Sequence, residues 1–253
     1  MTTLKVMPDL PIELVRFNNN DSDQIIFDER YFIKKIVTKE SNTKILTSIC
    51  ELNIEGFNNH KKIFTDESGQ YLYLISAYLD EDGYKDTFKT IQTMSPKEII
   101  ILFKIMLERL MLAHQNDFNP YDIEYSNFLL DKDNKPVFTD FNCSFYKGEC
   151  TYISSSLKHG KSKEWLITYD KMEILKLFLK SISSSFDKDI YYDENLYEIL
   201  KYLFIKLKVK YILPQEVDEY LSDLIFKKMV PKEDDYFIEH LIDPLEKGLE
   251  LKL

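Results

Sequence analysis

Hydrophobic and polar positions change their period along this chain. In the first part, Gln24–Phe27, Tyr31–Val37 and Gln70–Leu79 are short runs rich in β-branched and aromatic residues, separated by polar turn residues at 18–23 and 66–69. That pattern predicts strands. Between them Ile45, Ile49, Leu52 and Ile54 fall broadly on one side at helical spacing, so a helix is expected over Thr43–Phe57. After a polar stretch at 80–93, Ser95-Pro96-Lys97-Glu98 supplies an N-cap serine, a first-position proline and a third-position glutamate, and an apolar helix follows to about Gln115. Asn127–Leu130 and Pro136–Thr139, joined by Asp131-Lys132-Asp133-Asn134, read as a β-hairpin. From Tyr169 onward the period is helical over Ile174–Ile182, Leu196–Val209, Gln215–Lys228 and Asp235–Leu249. An α+β chain is expected, strand-rich over 1–79 and helical over 80–253, with the boundary near Tyr78–Gly83 and no internal repeat.

Composition narrows the partners. The 253 residues are 44% hydrophobic and 14% aromatic, ample for a buried core. With 43 acidic against 33 basic side chains the net charge is −10, which disfavours a nucleic-acid backbone or an anionic membrane as principal partner. Cys50, Cys143 and Cys150 form neither an even set nor a C-x-x-C pair, so no disulfide framework or zinc site is expected, and a cytoplasmic setting fits best. Met1–Leu10 has no apolar signal core, and the most apolar run, Ile99–Ala113, is interrupted by Lys104, Glu108 and Arg109, so neither secretion nor a membrane span is expected.

The candidate chemistry sits around the hairpin. Asp122 and Asn127 form D-x-x-x-x-N, and Asp140-Phe141-Asn142 follows at the far end of the second hairpin strand. In-line phosphoryl transfer needs one carboxylate to orient the attacking hydroxyl, and an amide plus a second carboxylate to hold Mg²⁺ against the phosphates. A loop followed by a hairpin brings three such groups to one edge.

On these residues the chain resembles the protein-kinase superfamily. Asp122 and Asn127 match the H-R-D-x-x-x-x-N catalytic loop, and Asp140 matches the aspartate of D-F-G. Leu112-Ala113-His114-Gln115 stands where the family's long helix ends, and Tyr31-Phe32-Ile33-Lys34 matches the V-A-I-K strand by position. The resemblance runs from about Gln24 to Leu179 and implies a bilobal kinase-like fold in which Lys34, held by an ion pair to Glu51, positions the ATP phosphates. It also implies that Asp122 orients the acceptor, that Asn127 and Asp140 hold Mg²⁺ or Mn²⁺, and that Ser76, Ala77 and Tyr78 line the adenine. Asp170 would brace the catalytic loop or cap a helix running through Met172–Phe178, and His114 would pack at its own helix end. The acceptor would be a hydroxyl, on a protein substrate or binding partner.

Several positions depart from the family pattern. No glycine precedes Gly56, so 12–17 holds no glycine-rich loop over the phosphates. Pro120 and Tyr121 replace the His-Arg before the aspartate, Glu124 stands where many members carry a phosphate-contacting lysine, Asn142 replaces the D-F-G glycine, and no A-P-E lies between Asp140 and Asp170. These losses motivate a pseudokinase that acts as a binding or scaffold module. The missing A-P-E also fits a small-molecule kinase, although the H-G-D of those enzymes is absent.

Overall fold

The computed structural model describes residues 24–27, 31–37, 42–58, 62–65, 69–77, 79, 85–141, 143–151, 161–183 and 196–252. It is a mixed α+β structure. Strands β1 (Gln24–Phe27), β2 (Tyr31–Val37), β3 (Lys62–Thr65) and β4 (Tyr71–Ala77) form an antiparallel sheet in the order β1-β2-β4-β3. The expected strands are present, and β3 is an addition. This four-residue edge strand opens on lysine, a residue that protects sheet edges and hides their pattern.

Helix α1 (Thr43–Cys50) packs Leu46 against Leu72 and Leu74 of β4. Asn42 caps it by accepting from the Ile45 amide at 3.4 Å. The helix stops well short of Phe57. Asn53 and Gly56 are poor helix formers, Gly56 adopts φ +80°, and Phe57 and Asn58 pair with the distant Phe138. Ile54 is nevertheless buried, so its apolar spacing reflects burial in a non-helical segment.

Beyond the sheet, β5 (Lys85–Asp86) and α2 (Thr87–Ile91) lead into α3 (Pro96–Gln115). Both arms of its capping box form: the Glu98 amide donates to Ser95 Oγ, and the Ser95 amide donates to Glu98 Oε2 at 2.7 Å. Then come β6 (Phe118–Asn119), the hairpin β7 (Phe128–Leu130) and β8 (Pro136–Phe138), and the short pair β9 (Phe145–Tyr146) and β10 (Glu149–Cys150). Strands β5, β7 and β8 form one small sheet, and β10, β9 and β6 another.

Helix α4 (Lys163–Ser183) begins earlier than its apolar period suggests, because Ser162 Oγ accepts from the Trp165 amide and Ser162 O from the Leu166 amide. Asp170 is therefore inside the helix, and its expected role as an N-cap is corrected. The chain ends in α5 (Leu196–Lys210), β11 (Tyr211–Ile212), α6 (Gln215–Phe226), α7 (Asp234–Phe237), a π-helical turn over Ile238–Ile242, α8 (Asp243–Gly248) and β12 (Glu250–Leu251), which pairs with β11. One contiguous core holds α3 to α4, with Phe103 edge-on to Phe178 at 5.3 Å, and continues through α5 and α6. Among the described residues no helix is long and apolar enough to cross a membrane.

Candidate functional site

The segment Pro120–Asn127 is fixed from below by one carboxylate. Asp170 is fully buried in α4; its Oδ1 accepts from the Tyr121 amide at 3.0 Å, and its Oδ2 meets His114 Nε2 at 2.9 Å and Asn119 Nδ2 at 3.2 Å. Burial pushes the Asp170 pKa up, and these partners oppose that by favouring the carboxylate. Tyr121 sits at φ +63°, and the Asp122 amide donates to Pro120 O at 2.7 Å, which makes Tyr121 the centre of a tight, strained γ-turn. Its ring stacks on Tyr169 at 4.5 Å and meets Phe145 edge-on at 5.2 Å. The strain is thus held by a backbone hydrogen bond on one side and by aromatic packing on the other.

The end of the segment is equally constrained. Asn127 Nδ2 donates to Asp122 O at 2.8 Å, and Asn127 O accepts from the Thr139 amide at 2.8 Å. Tyr125, buried beneath, reaches Leu177 O and Ser181 Oγ of α4, each at 2.8 Å. Asn127 therefore spends its amide nitrogen on the loop and leaves its side-chain oxygen facing Ser126 Oγ at 3.4 Å, a long contact.

Asp140 is positioned by the residue after it. Phe141 is buried against Phe118 at 5.3 Å and Phe57 at 5.7 Å, while Asp140 turns at φ +61°. Lys34 Nζ, carried by the middle of β2, donates to Asp140 Oδ2 at 2.7 Å. Asp140 Oδ1 is buried with no hydrogen-bond partner. Asp122 opens to solvent, yet its pKa is raised, first by the surrounding protein and then by the negative charges of Glu124 and Asp140, with Asn127 and Lys34 pulling the other way. Asp122, Glu124, Asp140 and Lys34 thus share one electrostatic neighbourhood. Glu124 Oε1 accepts from Ser126 Oγ at 2.5 Å.

One residue of this neighbourhood was not anticipated. Cys143 is pushed up to about 11, by burial and then by Asp122 and Asp140, so it faces the same acids as an inert neutral thiol. Its position three residues beyond Asp140 was the available signal. Asn119, which joins His114 on Asp170, was also unanticipated.

The expected pair of Lys34 with Glu51 is corrected. Glu51 is the exposed C-cap of α1, and Lys34 is paired with Asp140 instead. Ser76 is buried in β4 opposite Phe32, and Ala77 O accepts from Asn58 Nδ2 at 2.9 Å. Tyr78, Asn142 and the segment 12–17 lie outside the described residues.

Among the described residues no three His, Cys, Asp or Glu side chains converge on one point. What the site offers a metal is two oxygen donors, Asp140 and Asn127, one of them with an orphaned buried oxygen. That set suits Mg²⁺, which typically takes one or two carboxylates and completes its shell with phosphate oxygens and water. No protein-family model matches the chain, and no curated protein matches it.

Proposed function

We propose that this chain is a divergent protein-kinase-like phosphotransferase of bilobal architecture, with a strand-rich lobe over 1–79 and a helical lobe over 80–253, that moves the γ-phosphoryl group of ATP to a hydroxyl acceptor on a protein. The observation that carries the reading is the meeting of Lys34, from the sheet, with Asp140, from the end of the β7–β8 hairpin, at 2.7 Å. Both lie within electrostatic reach of Asp122. A cation, a candidate metal carboxylate and a candidate base arrive from three separate elements at one place, and phosphoryl transfer needs little more than such positioning and charge.

Asp140 and the Asn127 side-chain oxygen would hold the metal, which when bound neutralises charge on the β- and γ-phosphates. Lys34 is paired with Asp140 Oδ2, so nucleotide binding requires its ammonium to exchange the carboxylate for phosphate oxygens. Asp122 orients the acceptor hydroxyl and takes its proton as the new O–P bond forms. The bond from the γ-phosphorus to the bridging oxygen breaks, and ADP leaves with the electron pair. Transfer of the γ-phosphoryl group from ATP, assayed with Mg²⁺ and with Mn²⁺ on the protein itself, on generic peptides and on hydroxylated metabolites, tests the reading. Transfer that is lost in Asp122→Asn and in Asp140→Asn supports it, and no transfer to any acceptor overturns it.

A second reading, a pseudokinase scaffold, is favoured by the Glu124 carboxylate two residues from Asp122, which adds negative charge where phosphates would have to lie. A thermal-shift titration separates the two. A metal-dependent rise in melting temperature with ATP, absent in Lys34→Met, belongs to a working nucleotide site. No shift belongs to the scaffold.

A further inference from the structure

Helix α5 is apolar on two faces. Its inner face, with Ile199, Leu200, Leu203, Phe204 and Leu207, is buried in the core. Its outer face carries Tyr202, Ile205 and Val209, exposed by 36%, 49% and 71%, and the row continues past the helix end to Ile212, exposed by 51%. A helix that is hydrophobic all round is ordinarily covered all round. Scattered exposed apolar residues need no explanation, but this row is not scattered. Within the helix its spacings of three and four residues, Tyr202 to Ile205 to Val209, are those of the a and d positions that form the seam between two packed helices, and Ile212 of β11 extends the apolar row beyond the helix end.

The e and g positions of α5 that edge the seam are lysines. With Tyr202 at an a position, Lys206 falls at e and Lys201 and Lys208 fall at g, the positions that choose a helical partner by charge. Lys206 lies over the Tyr202 ring and makes no ion pair among the described residues. Lys201 and Lys208 have carboxylate neighbours, Glu198 at 3.7 Å and Asp218 at 2.6 Å, in solvent-exposed pairs that hold little energy and can be re-partnered. Three lysines thus edge one apolar seam on a molecule whose net charge is −10.

We propose that the outer face of α5 is a docking surface for an amphipathic helix of a partner protein, with apolar residues along its seam and Asp or Glu on its flanks. Charge selects this occupant. A second copy of the chain, laid seam to seam, would set lysine against lysine on the flanks, where like charges repel. An anionic membrane would have to accept a protein that is strongly acidic overall. An acidic helix meets both the apolar row and the flanking ammonium groups. The surface lies away from Asp122 and Asp140 in the sequence and does not depend on transfer chemistry, so it would serve a catalyst and a scaffold alike.

The test uses the full chain and two synthetic helical peptides with leucine along the seam, one flanked by glutamate and one by lysine, with binding read by fluorescence anisotropy. The glutamate peptide is expected to bind at least tenfold more tightly, to weaken as salt rises, and to lose at least tenfold in Ile205→Ser/Val209→Ser. These side chains lie outside the core, so an unchanged melting temperature verifies that the variant is folded. Charge reversal in Lys206→Glu/Lys208→Glu should move the preference toward the lysine peptide. Equal binding of the two peptides, binding that ignores the serine variant, or no binding overturns the proposal. Concentration-dependent dimers in sedimentation, or co-pelleting with vesicles of anionic phospholipid, abolished by the same serine variant, would assign the face to a second copy or to a membrane and overturn it equally.

Discussion

In the proposed transfer, Asp122 and Glu124 together would set the pH range in which the site works. For Asp122 to accept a proton it must be ionised, and surrounding protein, Glu124 and Asp140 all raise its pKa above the ordinary carboxylate value. The acidic limb of the pH–rate profile should therefore lie above that value, with activity rising as pH climbs through the raised pKa. Glu124→Gln removes one of the negative charges and is expected to shift the limb to lower pH; carbon-13 NMR titration of the Asp122 carboxyl reads the same shift without requiring turnover. A limb unmoved by Glu124→Gln would mean that Glu124 does not act on Asp122. The sequence disclosed the acids and the lysine but not their pairing. Lys34 and Glu51 are compatible by type and order, yet α1 ends at Cys50 and leaves Glu51 exposed at its cap. Which carboxylate a lysine reaches depends on where a helix stops, and that is decided by contacts distant in the chain.

At the scale of elements, helix starts marked by side-chain caps were the easiest to read. Ser95, Pro96 and Glu98 announce α3 because the capping box is local chemistry. Helix α4 was legible only in its later, most apolar turns, since its first turns face outward and depend on Ser162 for their cap. That shortfall left a helix cap open for Asp170 beside the expected brace of the loop, and the earlier helix start puts it inside the helix, where it is a buried brace. The two helices consequently differ in what one substitution should do. Ser95→Ala removes one exposed cap and should cost about 1 kcal/mol. Asp170→Ala leaves His114, Asn119 and the Tyr121 amide without their shared acceptor in a buried setting, which should cost about 3–5 kcal/mol. Urea denaturation compares the two directly. The second variant should also release the γ-turn at Tyr121, seen as faster hydrogen exchange at the amides of Tyr121 and Asp122, whereas Ser95→Ala should leave those amides unchanged.

For the molecule as a whole, the question is how the sheet that carries Lys34 is held over the hairpin that carries Asp140. An ion pair alone is a weak hinge pin, because its worth depends on solvent access and salt. The segment Gly56–Asn58 supplies the rest. Gly56 O accepts from the Phe138 amide, the Asn58 amide donates to Phe138 O, and Asn58 Nδ2 reaches back to Ala77 O at the end of β4. Phe57 stacks on Phe138 at 4.8 Å, in the same aromatic group that seats Phe141 beside Asp140. This clasp depends on a glycine: Gly56 sits at φ +80°, and a Cβ there would lie 2.2 Å from Arg109 Cδ. The first glycine of the chain therefore serves to join the sheet to the hairpin, and a phosphate loop is not its task. Gly56→Ala combines a left-handed backbone penalty of roughly 1–2 kcal/mol with a clash against Arg109, a buried side chain carried by α3. The expected result is a fall in stability of at least about 2 kcal/mol, in which the amides of Asn58 and Phe138 lose hydrogen-exchange protection together. If the clasp is what sets Lys34 over Asp140, the same variant should also diminish the ATP-dependent thermal shift even at temperatures where it remains folded. Loss of protection at Asn58 with Phe138 unaffected would mean that the sheet and the hairpin open independently, and that the Lys34–Asp140 pair must hold the site together on its own.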